Sequence, residues 1–266
     1  MQITTTAKEE NRKTPKKYQE LQAELSSADR KAKFVMYLFS EGPREYDFLL
    51  KILSMGRDNY WRDLIVQNAR VPPSGAKILD IACGTGLVSF QLASSKKGSM
   101  VVGVDVAREM LERANDLNKK MGGDLDVNLI QARAENLPLR TGTFDCATIS
   151  LATRNVSSVS ETFLEMKRCV SSGSPVISMD FTKPRGSIFA PFYKFYTFSV
   201  LPALGLVISR HWNGIFSYLA GSIERSKTPE DLSNIMEEAG LQGVSIRRMT
   251  HGVTALVSGY KNRDPM

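Results

Sequence analysis

Ile78-Leu79-Asp80-Ile81-Ala82-Cys83-Gly84-Thr85-Gly86 is the stretch on which the reading of the fold turns. A short apolar run contains one carboxylate, passes into small residues and opens a helical pattern at Gly86. That is strand, turn and helix, the opening unit of an alternating α/β domain. Gly84 and Gly86 have no Cβ, so a ligand can lie against the backbone of the turn. In a doubly wound sheet the ligand crevice lies at the carboxyl ends of the strands. Asp80, Gly84, Thr85 and Gly86 all fall there.

The alternation continues outward. Strands are predicted at 77–82, 99–105, 125–131, 144–151 and 174–181, with helices at 86–95, 107–120 and 159–170 between them. Gly122-Gly123 and Ser171-Ser172-Gly173 supply the punctuation expected after a helix. A helix at 228–239 starts with Thr228 as N-cap and Pro229 at its first position. Strands 242–249 and 253–260, joined by a short turn at Thr250–Gly252, read as a closing antiparallel hairpin. The expected fold is therefore α/β and Rossmann-like: a seven-stranded, mostly parallel sheet with helices on both faces.

Upstream, Tyr46, Leu49, Leu50 and Leu53, then Trp61, Leu64 and Ile65, repeat at helical spacing. They predict an N-terminal helical layer over 34–75, closed by Pro72-Pro73 and Gly75. Residues 1–33 form a basic arm, read as a solvated segment or a surface anchor. The domain proper is 76–266. Residues 186–224 interrupt its alternation and are expected to form an inserted helical lid. The part from Ser187 to Ser209 is rich in Phe and Tyr, with Pro191, Lys194 and Pro202 expected to break it.

Composition narrows the chemistry. The chain has 266 residues, 42% hydrophobic and 24% charged, as expected of a globular protein. A formal charge of +7 is compatible with phosphate, nucleic acid or an anionic membrane surface. Three cysteines without C-x-x-C spacing argue against a disulfide framework or a zinc ribbon. Two histidines leave little from which to build a metal site, and none is expected. Met1–Lys17 has no apolar core of the kind a secretory signal carries. Phe195–Ile208 is too short to span a bilayer. The expected location is the cytoplasm.

Two cofactor classes compete for the turn after the first strand. A dinucleotide fingerprint wants G-x-G-x-x-G, but its third position is Ser89. It also has no special use for Asp80. An S-adenosylmethionine site wants an acid at the end of the first strand and a small-residue turn, and Asp80 fits. The ammonium of that cofactor is a group a carboxylate can bind. A turn without a ligand is the remaining alternative. Val101-Val102-Gly103-Val104-Asp105 ends in a second carboxylate 21 residues beyond Gly84, where an acid accepts hydrogen bonds from ribose hydroxyls. Val106 follows it. A lone Asp there also serves as a helix N-cap. Arg133, Ala134 and Glu135 follow the third strand, in place to border an adenine ring.

These three segments resemble those of the class I S-adenosylmethionine-dependent methyltransferases. Further residues resemble one family among them, the C-methyltransferases of ubiquinone and menaquinone biosynthesis, over roughly 39–261. Tyr46-Asp47, Leu53-Ser54-Met55-Gly56 and Trp61-Arg62 look like its N-terminal helices. Thr153-Arg154-Asn155-Val156 follows the fourth strand, where the family places Leu-Arg-Asn-Val. Asp180-Phe181-Thr182-Lys183-Pro184 is similar to its Glu-Phe-Ser-Lys-Pro. Met166 with Arg168, Tyr218-Leu219, Ser222-Ile223 and Gly252 to Lys261 continue the likeness. Arg133 stands where the family has Asp, Ala152-Thr153 where it has Gly-Leu, and Phe216, Ser174 and Val257 where it has Tyr, Gly and His.

The resemblance implies methyl transfer to a ring carbon of a prenylated hydroquinone. It places Arg154 as a cation stabilising phenolate and Asn155 as a group orienting a ring oxygen. Asp180 would accept a proton, and Tyr46 with Asp47 would close over the ligand. An ion pair from Arg154 to Asp180 or Glu165 is the competing structural use. Phe189, Phe192, Phe195, Tyr196, Phe198, Leu201 and Leu204 would line a groove for the prenyl chain or touch a membrane surface, or else form an ordinary core lid. The rival functions are a methyltransferase for another small apolar acceptor, such as a sterol or phenol, and a non-catalytic cofactor-binding protein. No nucleic-acid partner is expected, because no RNA-binding module or base-flipping loop follows the fourth strand.

Overall fold

The structure, a computed structural model, describes residues 43–184, 189–208 and 210–263, with the backbone alone at 43–46, 49, 208, 210 and 211. The basic arm 1–33, the start of the helical layer and lid residues 186–188 lie outside the described residues.

Among the described residues two helices come first, α1 (Pro43–Leu53) and α2 (Asp58–Asn68). The alternation then runs β1 (Lys77–Ile81), α3 (Leu87–Ser95), β2 (Met100–Asp105), α4 (Arg108–Lys120), β3 (Val127–Gln131), β4 (Cys146–Ser150), α5 (Val159–Cys169) and β5 (Pro175–Phe181). The lid comprises α6 (Phe189–Phe195), a π-helical turn (Tyr196–Val200), α7 (Leu201–Ile208) and α8 (Arg210–Glu224). The chain closes with α9 (Pro229–Glu238), β6 (Leu241–Met249), a 3₁₀ turn (Thr250–Gly252) and β7 (Thr254–Lys261).

The sheet order is β3-β2-β1-β4-β5-β7-β6. β1 pairs in parallel with both β2 and β4, and only β7 runs antiparallel to its two neighbours. The order reverses between β1 and β4, which makes their carboxyl ends the crevice of the fold. Alternation along β1 divides its side chains between two cores. Ile78 packs with Trp61, Leu92 and Phe181. Leu79 and Ile81 pack with Phe163, Met166 and Met236 on the other side. Asp80 shares a face with Ile78, so a carboxylate points into the layer made by α2 and α3.

The N-terminal layer is built as its periodicity predicts: Leu50, Leu53, Trp61, Leu64 and Ile65 are buried. Trp61 meets Phe181 edge to face, with centroids 5.6 Å apart. Its indole N–H donates to Thr250 Oγ1 at 2.9 Å. That bond ties α2 to the hairpin turn, where Thr250 and His251 both take left-handed backbone (φ 50° and 55°).

The lid departs from its expectation at the prolines, since the segment stays helical through Pro191 and Pro202. Pro191 is the third described residue of α6. Pro202 follows the π turn, whose wider spacing relieves the clash a proline ring makes with the carbonyl four residues back. Tyr193, Thr197 and Leu201, four residues apart, form the buried stripe. Phe192, Phe195, Phe198, Leu204, Leu206 and Val207 face outward, Val207 at 85% exposure. Leu201 is therefore core and does not line an open groove. The Tyr196 hydroxyl donates to Ile52 O at 2.8 Å and pins the lid to α1.

Candidate active site

The crevice opens above β1, β2 and β4 as two adjoining cavities. One encloses about 750 Å³, part of it open to solvent, and is lined by Asp105, Val106, Ala134, Glu135 and Asn155 among others. The second encloses about 510 Å³, likewise partly open to solvent, and is lined by Asp80, Thr85, Trp61, Arg62 and Met179 among others. Ala82, Gly84, Ser150 and Leu151 border both. Ala82 and Leu151 hold left-handed backbone (φ 53° and 55°), which turns the chain sharply off the ends of β1 and β4.

Asp80 is 1% exposed. Thr148 is its register partner on β4, so the two side chains share a face. Thr148 Oγ1 donates to Asp80 Oδ1 at 2.8 Å and Ser89 Oγ to Oδ2 at 2.6 Å. Burial raises the Asp80 pKa to about 6 against these two hydroxyl bonds, and the Asp105 charge adds to the rise. Ser89, the residue that spoils a dinucleotide fingerprint, is thus a ligand of the strand-end carboxylate. No sequence signal short of that mismatch marks it.

Asp105 joins the two loops. Gly84 N–H donates to its Oδ2 at 2.8 Å and Ala107 N–H to its Oδ1 at 2.9 Å. Burial raises its pKa while these amide bonds oppose the rise. Gly86 is the N-cap of α3 at φ 84°. A Cβ there would lie 2.7 Å from the Phe90 ring. Above Gly84 nothing lies within 4 Å of where a Cβ would be, so that face is open to the crevice. Thr85, 2% exposed, donates from Oγ1 to Asp47 Oδ1 at 2.7 Å and so holds α1 against the loop. Tyr46 is on α1, but its side chain lies outside the described residues.

Ala134 lines the larger cavity with Arg133 and Glu135 on either side. Glu135 accepts from the backbone N–H groups of Ser157 and Ser158, and Arg133 Nη2 donates to Ser157 Oγ at 3.3 Å. These two side chains therefore lace the segment after β3 to the loop after β4.

That loop carries Arg154 and Asn155. Arg154 Nη1 pairs with Asp180 and donates to Leu151 O, and its guanidinium lies 5.2 Å from the Phe181 ring centroid. Asp180 also accepts from Thr153 Oγ1, Arg154 N–H and Phe181 N–H. Glu165, the other acid considered for Arg154, pairs with Arg168 instead. Asn155 faces the cavity and its Oδ1 accepts from the Tyr218 hydroxyl of α8 at 3.0 Å. The Tyr193 hydroxyl of α6 is buried without a hydrogen-bond partner, and its pKa rises beyond the usual phenol range through burial, opposed by the Arg154 charge. Tyr193 and Tyr218 were not singled out as site groups from the sequence. Their helical spacing alone reads as core.

Among the described residues, no group of three His, Cys, Asp or Glu side chains is placed to hold a metal. No helix there is long and apolar enough to cross a membrane. Cys83, Cys146 and Cys169 are free.

The comparisons with known proteins agree with this geometry. Phosphoethanolamine N-methyltransferase 2 of Haemonchus contortus, solved with S-adenosyl-L-methionine, superposes with a TM-score of 0.57 at 16% identity, covering 77% of this chain and 53% of that one. That likeness shows the fold. The ubiquinone/menaquinone biosynthesis C-methyltransferase UbiE of Shewanella pealeana is 32% identical over 88% of this chain and 93% of its own length. The enzyme of the same name from Haemophilus ducreyi is 32% identical over 88% and 90%. The model of the ubiE/COQ5 methyltransferase family matches residues 26–261. With both the sheet and the crevice inside that span, this S-adenosyl-L-methionine-dependent methyltransferase belongs to the ubiE/COQ5 methyltransferase family.

Proposed function

We propose that the chain transfers a methyl group to a ring carbon of a prenylated hydroquinone of the demethylmenaquinol type. The observation that carries this reading is the shared name of the relatives, held at 32% identity over 88% of the chain. The crevice supports it. When bound, S-adenosyl-L-methionine supplies an electrophilic methyl group on a sulfonium. Asp105, with Val106, takes the ribose hydroxyls, and Ala134, between Arg133 and Glu135, borders the adenine; all of them line one cavity, which supports this reading. Gly84, Thr85 and Gly86, with Asp80 beneath them, receive the amino-acid end. The open face of Gly84, the buried Asp80 carboxylate and the half-buried Asp105 carboxylate fit such a cationic, sugar-bearing group.

Arg154 and Asn155 form the acceptor side. A ring carbon becomes nucleophilic when its neighbouring phenol takes on phenolate character. The Arg154 guanidinium favours that charge, and the low dielectric of the buried site strengthens the effect. Asn155, steadied by Tyr218, orients a ring oxygen. The buried Tyr193 hydroxyl, near enough to Arg154 to feel its charge, has a free donor. Asp180, already engaged by Arg154, Thr153 and Phe181, acts chiefly by fixing the Arg154 guanidinium. Asp47, bonded to Thr85, closes the cofactor end.

The outward face of the lid suits a prenyl tail and the bilayer in which such a tail resides. Phe192, Phe195 and Phe198 are exposed beside Lys194, an arrangement that favours an anionic membrane surface. The chain thus works in the cytoplasm with peripheral membrane contact. The quinone profile of a strain lacking the gene tests the reading. Accumulation of a demethylated precursor supports it, and an unchanged profile contradicts it.

A further inference from the structure

The second cavity contains a cation that the acceptor chemistry does not use. Arg62 sits on α2, and its side chain is 11% exposed. Its Nη2 is held by Asp58 Oδ2 at 3.0 Å and by Asn59 Oδ1. Asp58 is itself buried and accepts from Ser54 Oγ at 3.3 Å. The guanidinium is therefore clamped from one side. Its Nη1 is buried with no hydrogen-bond partner. A buried N–H left unpaired on a cation is rare in a folded protein and points to a missing acceptor.

The surroundings say what that acceptor is. Arg62 lines the same cavity as Asp80, Gly84 and Thr85, on the α2 side of the β1 turn. Leu87 and Val88 line it as well. They open α3, where first-turn N–H groups have no intrahelical partner and the helix end is electropositive. A buried carboxylate thus lies on one side of the cavity, and a clamped guanidinium with a helix N-terminus on the other. That arrangement matches a zwitterion, with ammonium toward Asp80 and an anion toward Arg62.

We propose that Arg62 binds the α-carboxylate of the cofactor's amino-acid end through Nη1, with Asp58 fixing the guanidinium. The inference rests on the reading that this crevice takes S-adenosyl-L-methionine. Arg62 is a binding residue here and takes no part in the methyl transfer itself. Asp58 has the matching role of a positioning residue.

The test is calorimetric titration of the full chain with three ligands. These are S-adenosylhomocysteine, its decarboxylated analogue and methylthioadenosine, which lacks the amino-acid end altogether. The parent should bind S-adenosylhomocysteine roughly 10- to 100-fold tighter than the decarboxylated analogue, the range of a charge-assisted hydrogen bond. Arg62→Met should bring S-adenosylhomocysteine down to the level of the analogue and leave methylthioadenosine unchanged. Arg62→Lys, which keeps the charge without the fork, should retain part of the preference and covers the case in which the Met variant does not fold. Equal losses for all three ligands, or a carboxylate preference that survives in both variants, overturns the assignment. A parent that binds methylthioadenosine but shows no carboxylate preference overturns it while leaving the cofactor reading intact. A parent that binds none of the three overturns the cofactor reading itself.

Discussion

Arg154 and Asp180 form an ion pair inside the fold, with 3% and 2% of their side chains exposed. They come from the loop after β4 and the end of β5, so the pair ties those two strand ends together. Breaking a buried pair by removing one partner leaves a charge without compensation and costs about 3–5 kcal/mol. Arg154→Ala should therefore lower the melting temperature by roughly 10 °C as well as activity. Arg154→Lys should melt closer to the parent and still lose turnover, because an ammonium lacks the planar fork. The two effects separate when melting temperature, cofactor affinity and turnover are measured on the same preparations. An Arg154→Ala protein with unchanged melting temperature would show that the pair contributes nothing to stability.

Asp80 gives a signed pH prediction. Its pKa in the fold is about 6, above the ordinary 3.8. Between those values the folded state binds the proton more tightly than the unfolded chain, so stability falls as pH rises through that window. Asp80→Asn removes the cost of ionising the buried carboxylate. At pH 7 to 8 it should be more stable than the parent by about 1–3 kcal/mol. The gap should narrow below about pH 5, where the parent is itself protonated. Cofactor affinity should fall in the same variant. Thermal melts across pH check this, and a variant less stable than the parent at pH 7 would count against it.

Asp105 should matter to the cofactor more than to the sheet. Asp105→Ala removes the acceptor of the Gly84 and Ala107 amides and, on the proposed reading, of the ribose hydroxyls. A loss of roughly 1–3 kcal/mol in cofactor binding is expected, about 10- to 100-fold. Calorimetry with S-adenosylhomocysteine measures it, and unchanged affinity would refute the ribose assignment.

The lid separates tail binding from core packing. Phe195, at 61% exposure, has little packing to lose, whereas Leu201 is 1% exposed. Phe195→Asp should leave the melting temperature near that of the parent and weaken turnover of long-tailed acceptors and association with anionic vesicles. Each tail CH₂ that finds apolar cover adds about 0.8 kcal/mol, so the penalty should grow with tail length. Leu201→Asp should lower stability and harm every acceptor alike. Equal losses for short and long tails in Phe195→Asp would remove the tail surface.

The strands and the crevice were legible because short apolar runs and glycine turns are local signals. The stretch from Ile78 to Gly86 predicted β1 and the start of α3 to within a residue. The expected closing hairpin is present as β6 and β7. The side chains that complete the site were harder to see. Ser89 and Thr148 reach Asp80 only because α3 folds back over β1 and β4 stands in register beside it. At Arg154 the sequence leaves open a cation stabilising phenolate or an ion pair with Asp180 or Glu165, and only the folded chain selects Asp180 as its partner. Pro191 and Pro202 misled the reading of the lid, since a proline's effect depends on where it falls in the helical turn.

The most direct measurement is incubation of the purified full chain with methyl-labelled S-adenosyl-L-methionine and demethylmenaquinol, followed by mass spectrometry of the quinone fraction. The expected result is one label per ring, carried on a ring carbon, with an equal amount of S-adenosylhomocysteine formed. A protein that binds the cofactor but gives no ring-labelled quinone, or places the label on oxygen, would contradict the assignment.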